Sequence, residues 1–375
     1  MKVHQQKSDC LMTVARLVLA GLGFLLIGFG CKKNPVVPPD NIGRDPRTYT
    51  WKRDTLGDGS RQSNIWSIWG SSANDVYFVG HSSSLFVGKL WHYDGSQYAD
   101  ITPKYIEAFP GEQLFNFSCM YVYGFSPGDV WVVGGRDTSS TPAVVRRGFV
   151  MHYDGSQWQG IVIPGAHELL TVGGISSSNI VAGGFDGLAY HFNGSTWQLC
   201  MLPDTISLQR FAGVVGDLMY FTGLSYDSTS GVINFFLLSW NGSTWEILES
   251  EKNTDASLNF GLVMSVSEGV LYSSIRQEVK KRVSPGNWQS LFSNSQASFV
   301  GTAVSSPNNI FSVGGPSGEV VYNYNGNEWY RFPQFDNPNI YDGPVWTDGK
   351  EVFIGGTEVS AQTSFWPKSF VLHGR

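Results

Sequence analysis

The chain predicts an all-β fold: a single seven-bladed β-propeller, its ring closed by a strand around Trp51 that completes the C-terminal blade. Three observations carry this. A short phrase recurs, as W-H-Y-D-G-S-Q-Y at Trp91–Tyr98, V-M-H-Y-D-G-S-Q-W at Val150–Trp158 and Y-H-F-N-G-S-T-W at Tyr190–Trp197, with shorter versions at Ser239–Trp245 and Asn323–Trp329. Asp-Gly or Asn-Gly between apolar runs signals a hairpin, because a type I′ turn needs positive φ at both central residues. The composition suits many short strands joined by tight turns: 14% aromatic, 15% charged and 44 glycines in 375 residues. Finally, the two ends of the repeat array are incomplete in a complementary way.

Taken in order, residues 1–30 read as a signal peptide. A polar, basic-biased start ends in Arg16, and Leu17–Phe29 is an apolar run too short to span a membrane comfortably. The small residues of Gly28-Phe29-Gly30 before Cys31 resemble the lipobox of bacterial lipoproteins, which implies that Cys31 is lipidated and becomes the new N-terminus. Two positions depart from that pattern: Gly28 stands where Leu is usual, and Phe29 is bulky. An ordinary secretory signal is the alternative, and Met12 is a second possible start. Residues 31–48 are Pro-rich without apolar periodicity and read as an extended tether.

The propeller occupies residues 49–375. Each unit opens with an apolar strand such as Ser67–Gly70. A second strand follows, ending in glycine: Val76–Gly80, Val130–Gly135, Ile180–Gly184, Leu218–Gly223, a degenerate Val270–Ser273, Ile310–Gly315 and Val352–Gly356. Then come a variable connection, a third strand, the Asp/Asn-Gly turn and a fourth strand opening on an aromatic. Four antiparallel strands per unit make a propeller blade. Second strands number seven, yet only Tyr98, Trp158, Trp197, Trp245, Trp288 and Trp329 open a fourth strand. The last unit stops after its third strand, while Tyr49–Asp54 has no partner before it, so the N-terminal strand should close the ring.

These repeats resemble secreted bacterial propellers carrying D-V-W-x-V-G followed by H-Y-D-G-x-x-W. The resemblance covers Trp51–Arg375 and implies the fold, with no particular activity. Gly194–Trp197 and Gly242–Trp245 also match the G-x-T-W end of an Asp-box. Tyr190 and Phe192 fill the Ser-x-Asp places in the third unit, which weighs against descent from sialidases.

A net charge of −6 and no basic stripe argue against nucleic acid as a partner. Cys119 and Cys200 read as core thiols or, less simply, as a pair. His92, His152, His191 and His373 occupy one repeated position, distributed around the ring, and read as structural. Asp94 and Asp154 exchange with Asn193, Asn241 and Asn325 at the same turn, so they are turn residues too. No catalytic, metal-binding or nucleotide motif is present, and no cofactor or metal is expected.

Function should therefore lie where the blades differ. In a four-stranded meander the second connection and the link between blades share one face, and these are the segments that vary in length. That face is expected to carry Tyr105, Phe109, Phe185, Tyr226, Phe365 and Trp366, with Arg136, Arg146, Asp186 and Arg276. Aromatics among charges suit a glycan or a protein epitope. The resulting reading is a monomeric binding module, lipid-anchored to the bacterial envelope at the outer membrane, that touches the membrane only through its anchor. A secreted or periplasmic location is the fallback. Two alternatives stand beside it. One is a carbohydrate-active enzyme (hydrolase, lyase or glycosyl transferase) using carboxylates such as Glu112, Asp137, Asp186 and Glu278 at the propeller mouth. The other is a structural envelope scaffold.

Overall fold

The structure is a computed structural model that describes residues 45–56, 63–82, 87–110, 115–138, 145–255, 257–314, 320–336, 340–358 and 368–375. The expected leader, Cys31 and most of the tether lie outside them. Seven four-stranded antiparallel sheets form seven blades. Blade 1 runs outward through Ser63–Ser72, Asp75–Ser82, Val87–Tyr93 and Tyr98–Asp100. The innermost strands of blades 2 to 7 are Phe115–Ser126, Leu169–Ser176, Ser207–Val215, Val263–Ser267, Phe299–Ser306 and Ile340–Thr347. Each packs on the next, and that of blade 7 packs back on blade 1.

Blade faces are covered on both sides by neighbouring blades, so the second strands are apolar without alternation. Val76, Phe78 and Val79 are buried, as are Val130, Val132 and Val133, and Val352, Phe353 and Ile354. Aromatics of the outermost strands then fasten one blade to the preceding one. Trp245 donates its indole N–H to the Cys200 carbonyl at 3.0 Å, Trp329 to the Leu291 carbonyl at 3.1 Å, and Trp288 to Glu249 at 2.8 Å. Such a bond gives the ring of a large side chain a fixed orientation as well as buried area.

Closure follows the expected plan. Trp51–Thr55 pairs antiparallel with Lys368–Gly374, in the register Trp51 with Gly374 and Thr55 with Phe370. Thr50 N–H also reaches the Arg375 carbonyl at 2.7 Å, and Arg375 N–H returns to Thr50 at 3.1 Å. Trp51 packs edge-on against Phe332 and Phe335 of the preceding link, with centroids 5.3 and 4.8 Å away.

The repeated turn differs from the type I′ expectation. Tyr93 pairs with Tyr98, leaving a four-residue loop in which Gly95 has a φ of 91° and Asp94 is not left-handed. Asp94 instead accepts from the N–H groups of Ser96 and Gln97 at 2.8 and 2.9 Å, and Asn193, Asn241 and Asn325 make the same bonds. A side-chain oxygen thus organises the loop, and only its glycine takes positive φ. A two-residue turn with positive φ at both positions does occur in blade 5, where Glu268 and Gly269 (49° and 76°) join Ser267 to Val270.

Candidate functional site

Short turns gather at one end of the blades and the long, variable connections at the other. The candidate residues of that variable face do not form one surface. Phe185 and Tyr226 are exposed, at 41% and 63% of their area. Tyr105 is not on the surface. The link after blade 1 contains a helix, Pro103–Ala108, that turns Tyr105 inward to stack on Phe117 at 3.9 Å. Phe109 is buried beside it. Arg136 is buried as well, its guanidinium 5.2 Å from the Phe109 ring. Phe365, Trp366 and Glu112 fall outside the described residues.

The charged candidates are mostly committed to local partners. Arg146 bridges Asp137 at 3.0 Å and Glu168 at 2.6 Å, with Ser118 against both Arg146 and Glu168, tying blade 2 to the link that follows it. Asp186, left-handed at φ 63°, faces His167 at 2.6 Å in an exposed pair. Arg276 donates to the carbonyls of Asn253 and Asp255 at 2.8 and 3.4 Å, holding the link before its blade. The carboxylates Asp137 and Asp186 therefore pair with two different residues, Arg146 and His167, and share no site.

The repeated histidines are structural. His92 meets Asp75 at 2.7 Å, His152 meets Asp129 at 2.8 Å, His191 meets Asn179 at 2.8 Å and His373 meets Glu351 at 2.5 Å. Each joins its third strand to the start of the second, and Asn323 makes the same link to Asn309 at 3.0 Å. Cys119 and Cys200 are free thiols, and burial pushes that of Cys200 up to about 12.

The main concave site among the described residues is the central channel, whose mouth was expected only as the place of an enzyme site and whose lining residues were not named. It encloses about 710 Å³ between the innermost strands of every blade except the third, within the roughly 300–1,000 Å³ typical of ligand pockets. A repeated device shapes it. Five innermost strands slip register at one level, inserting Trp66, Met120, Leu170, Gln209 and Val300 as extra residues. Such bulges bend a strand and re-aim its side chains. Blade 3 stays back from the channel because Phe211 covers it; a Cβ on Gly173 would sit 2.1 Å from that ring.

The residue after each bulge is Ser67, Tyr121, Thr171, Arg210 or Gly301. Among the described lining residues only Arg210 carries a full charge. It reaches from blade 4 to the Trp66 carbonyl of blade 1 at 3.1 Å, passing 5.6 Å from the Tyr121 ring of blade 2. Arg210 and Trp66 each sit fourth in their strands, nearer the variable face than the short turns. Beside them His81 lies tilted against Trp66 with ring centroids 4.5 Å apart, its buried Nδ1 makes no hydrogen bond among the described residues, and burial lowers its pKa. Aligning the repeats at this bulge would have shown Arg210 as the odd member.

Comparison with known proteins places this geometry among solved propellers. No protein-family model matches the chain, and no curated protein does. A structure described as YCF48 bound to D1 peptide is 16% identical, covering 88% of this chain and 97% of that one, with a TM-score of 0.58. A catalytically inactive virginiamycin B lyase from Staphylococcus aureus with quinupristin is 10% identical over 86% and 99%, with a TM-score of 0.57. The extracellular domain of a one-component system from B. thetaiotaomicron is 11% identical over 86% of this chain and 40% of that one, with a TM-score of 0.55. The likeness is one of fold. This chain shares the propeller ring with a peptide-bound protein, a lyase and an extracellular domain, and its own site has to be read from its own residues.

Proposed function

We propose that this protein is an exported binding propeller, held at the bacterial envelope through a lipidated Cys31, that takes a protein partner at the channel mouth on its variable face. The observation that carries the reading is the channel itself: a cavity of about 710 Å³ whose described lining holds one charged residue, Arg210, and is built mostly from strands. A rigid ring preorganises such a site, so little ordering cost accompanies binding. Two considerations support it. Phe185 and Tyr226 offer exposed aromatics on the same face. Two structural neighbours are a peptide-bound protein and an extracellular domain.

The test is capture from envelope extracts by the purified full chain, with a glycan array run in parallel. A protein captured by the wild type, and captured poorly by the double variant Phe185→Ala, Tyr226→Ala, is the expected result. Retention of glycans alone would replace the partner class, and cleaved sugar would replace binding with catalysis. For the anchor, Cys31→Ser should move the protein from the detergent to the aqueous phase on phase partitioning. Unchanged partitioning would remove the lipid from the account.

A further inference from the structure

We propose that Arg210 is a carboxylate clamp, so that the partner docks by inserting an extended peptide segment whose Asp, Glu or C-terminal carboxylate meets this side chain inside the channel. The inference rests on the protein-binding reading above and adds the chemistry of the group recognised.

Four observations point there. Arg210 is the one charged residue among the described lining of the channel, and no carboxylate is paired with it among the described residues. Elsewhere in the molecule, Arg146 and Arg282 are each matched to carboxylates. A cation between low-dielectric walls focuses its field on whatever enters, and an incoming anion meets no like charge there. Second, the side chain is held in place before any ligand arrives. One Nη1 bond goes to the Trp66 carbonyl, and the plane lies near the Tyr121 ring, while Nε and Nη2 make no bond among the described residues. That leaves part of a planar fork, matched in shape to the two oxygens of a carboxylate. Third, the bulge before Arg210 aims it at the level where four other blades carry Ser67, Tyr121, Thr171 and Gly301, none of them charged.

The fourth observation favours a peptide over an acidic sugar. Stacking on an aromatic face is a common hold on a sugar ring, and inside the channel several rings already engage one another. Trp66 meets His81 at a tilt with centroids 4.5 Å apart, and Tyr123 meets Phe211 edge-on at 4.9 Å. The remaining wall mixes aliphatic residues such as Val266 and Val304 with polar ones such as Asn64, Ser265 and Thr302. Apolar peptide side chains can bury against the former, while the polar residues and the inner strand edges offer hydrogen bonds to an extended chain.

The experiment measures binding of labelled hexapeptides to the purified full chain by fluorescence anisotropy. The probes share a Gly-Val-Ser-Val-Ala-Val sequence as the free acid, as the C-terminal amide, and as the amide with Asp replacing Ser. Trigalacturonate serves as the acidic-sugar probe. One or both carboxylate-bearing peptides should bind, the neutral amide should not, and the acid that binds identifies the source of the carboxylate. Arg210→Gln should weaken that peptide about thirtyfold or more, with Arg210→Lys in between. The acid-against-amide comparison uses the wild type, so it stands even if a variant misfolds. Equal binding of acid and amide, no binding of either acid at millimolar concentration, preference for trigalacturonate, or an unaffected Arg210→Gln would each overturn the clamp. If Arg210→Gln still captures the envelope partner as the wild type does, the clamp falls and the binding function survives. If the wild type captures no protein at all, the function itself falls.

Discussion

At Asp94 and Asp154 a carboxylate performs a task that an amide performs at Asn193, Asn241 and Asn325: one oxygen receives two backbone N–H groups. The charge is nevertheless felt. Hydrogen bonds from the Ser96 hydroxyl and from the Gln97 and Ser96 backbone hold Asp94 down at about 2, and the same set at Ser156 and Gln157 lowers Asp154 as well. A folded-state value below the unfolded one gives stability that is present above the unfolded pKa, near 4, and lost as pH falls through the folded value. Asp94→Asn should therefore match the wild type in urea melts at neutral pH. Between about pH 4 and pH 2 the wild type should lose stability relative to the variant. Parallel curves across that window would refute the linkage. The interchange of Asp and Asn along one chain made this role legible before any coordinates. Arg210 had no such echo, since a residue that occurs once in a repeat array has no internal control.

The outermost strand is the element that ties blade to blade, and its aromatic is the fastening. Trp245→Phe keeps a ring but loses the N–H that meets the Cys200 carbonyl. It should cost about 1 kcal/mol in chemical denaturation, and no loss would mean that the ring alone does the work. Trp51 supplies the same element for blade 7 and sits against two phenylalanines. Trp51→Ala should cost about 2–3 kcal/mol, because the site is only partly enclosed; less than half of that would show a closing strand held mainly by its backbone ladder. Strands and their order were legible because a blade buries both faces and leaves continuous apolar runs. The helix Pro103–Ala108 was not. Six residues give no measurable 3.6-residue period, and Tyr105 therefore read as an exposed aromatic when it is a core residue.

At the scale of the molecule, seven sheets share one ring, and the variable face and the channel come together only through it. The lining of the channel could not be read from the chain, since it draws short stretches from six separate blades. Removing the N-terminal strand leaves Lys368–Gly374 as a bare outer edge. Deletion of residues 1–55 should lower Tm and produce concentration-dependent association in light scattering, as open edges pair with one another. A monomeric deletion with unchanged Tm would show that closure contributes little.

That closing contact also sets the timetable of folding. Trp51 is among the first residues of the propeller to be synthesised, and Gly374 among the last, yet they are partners in one ladder. Contacts so distant along the chain form late, and until then unpaired strands remain open to wrong neighbours. The propeller therefore has no intermediate size at which it is finished. A chain stopped anywhere short of Lys368 is an arc with a waiting strand, bound for a chaperone, a protease or an aggregate rather than for a smaller ring.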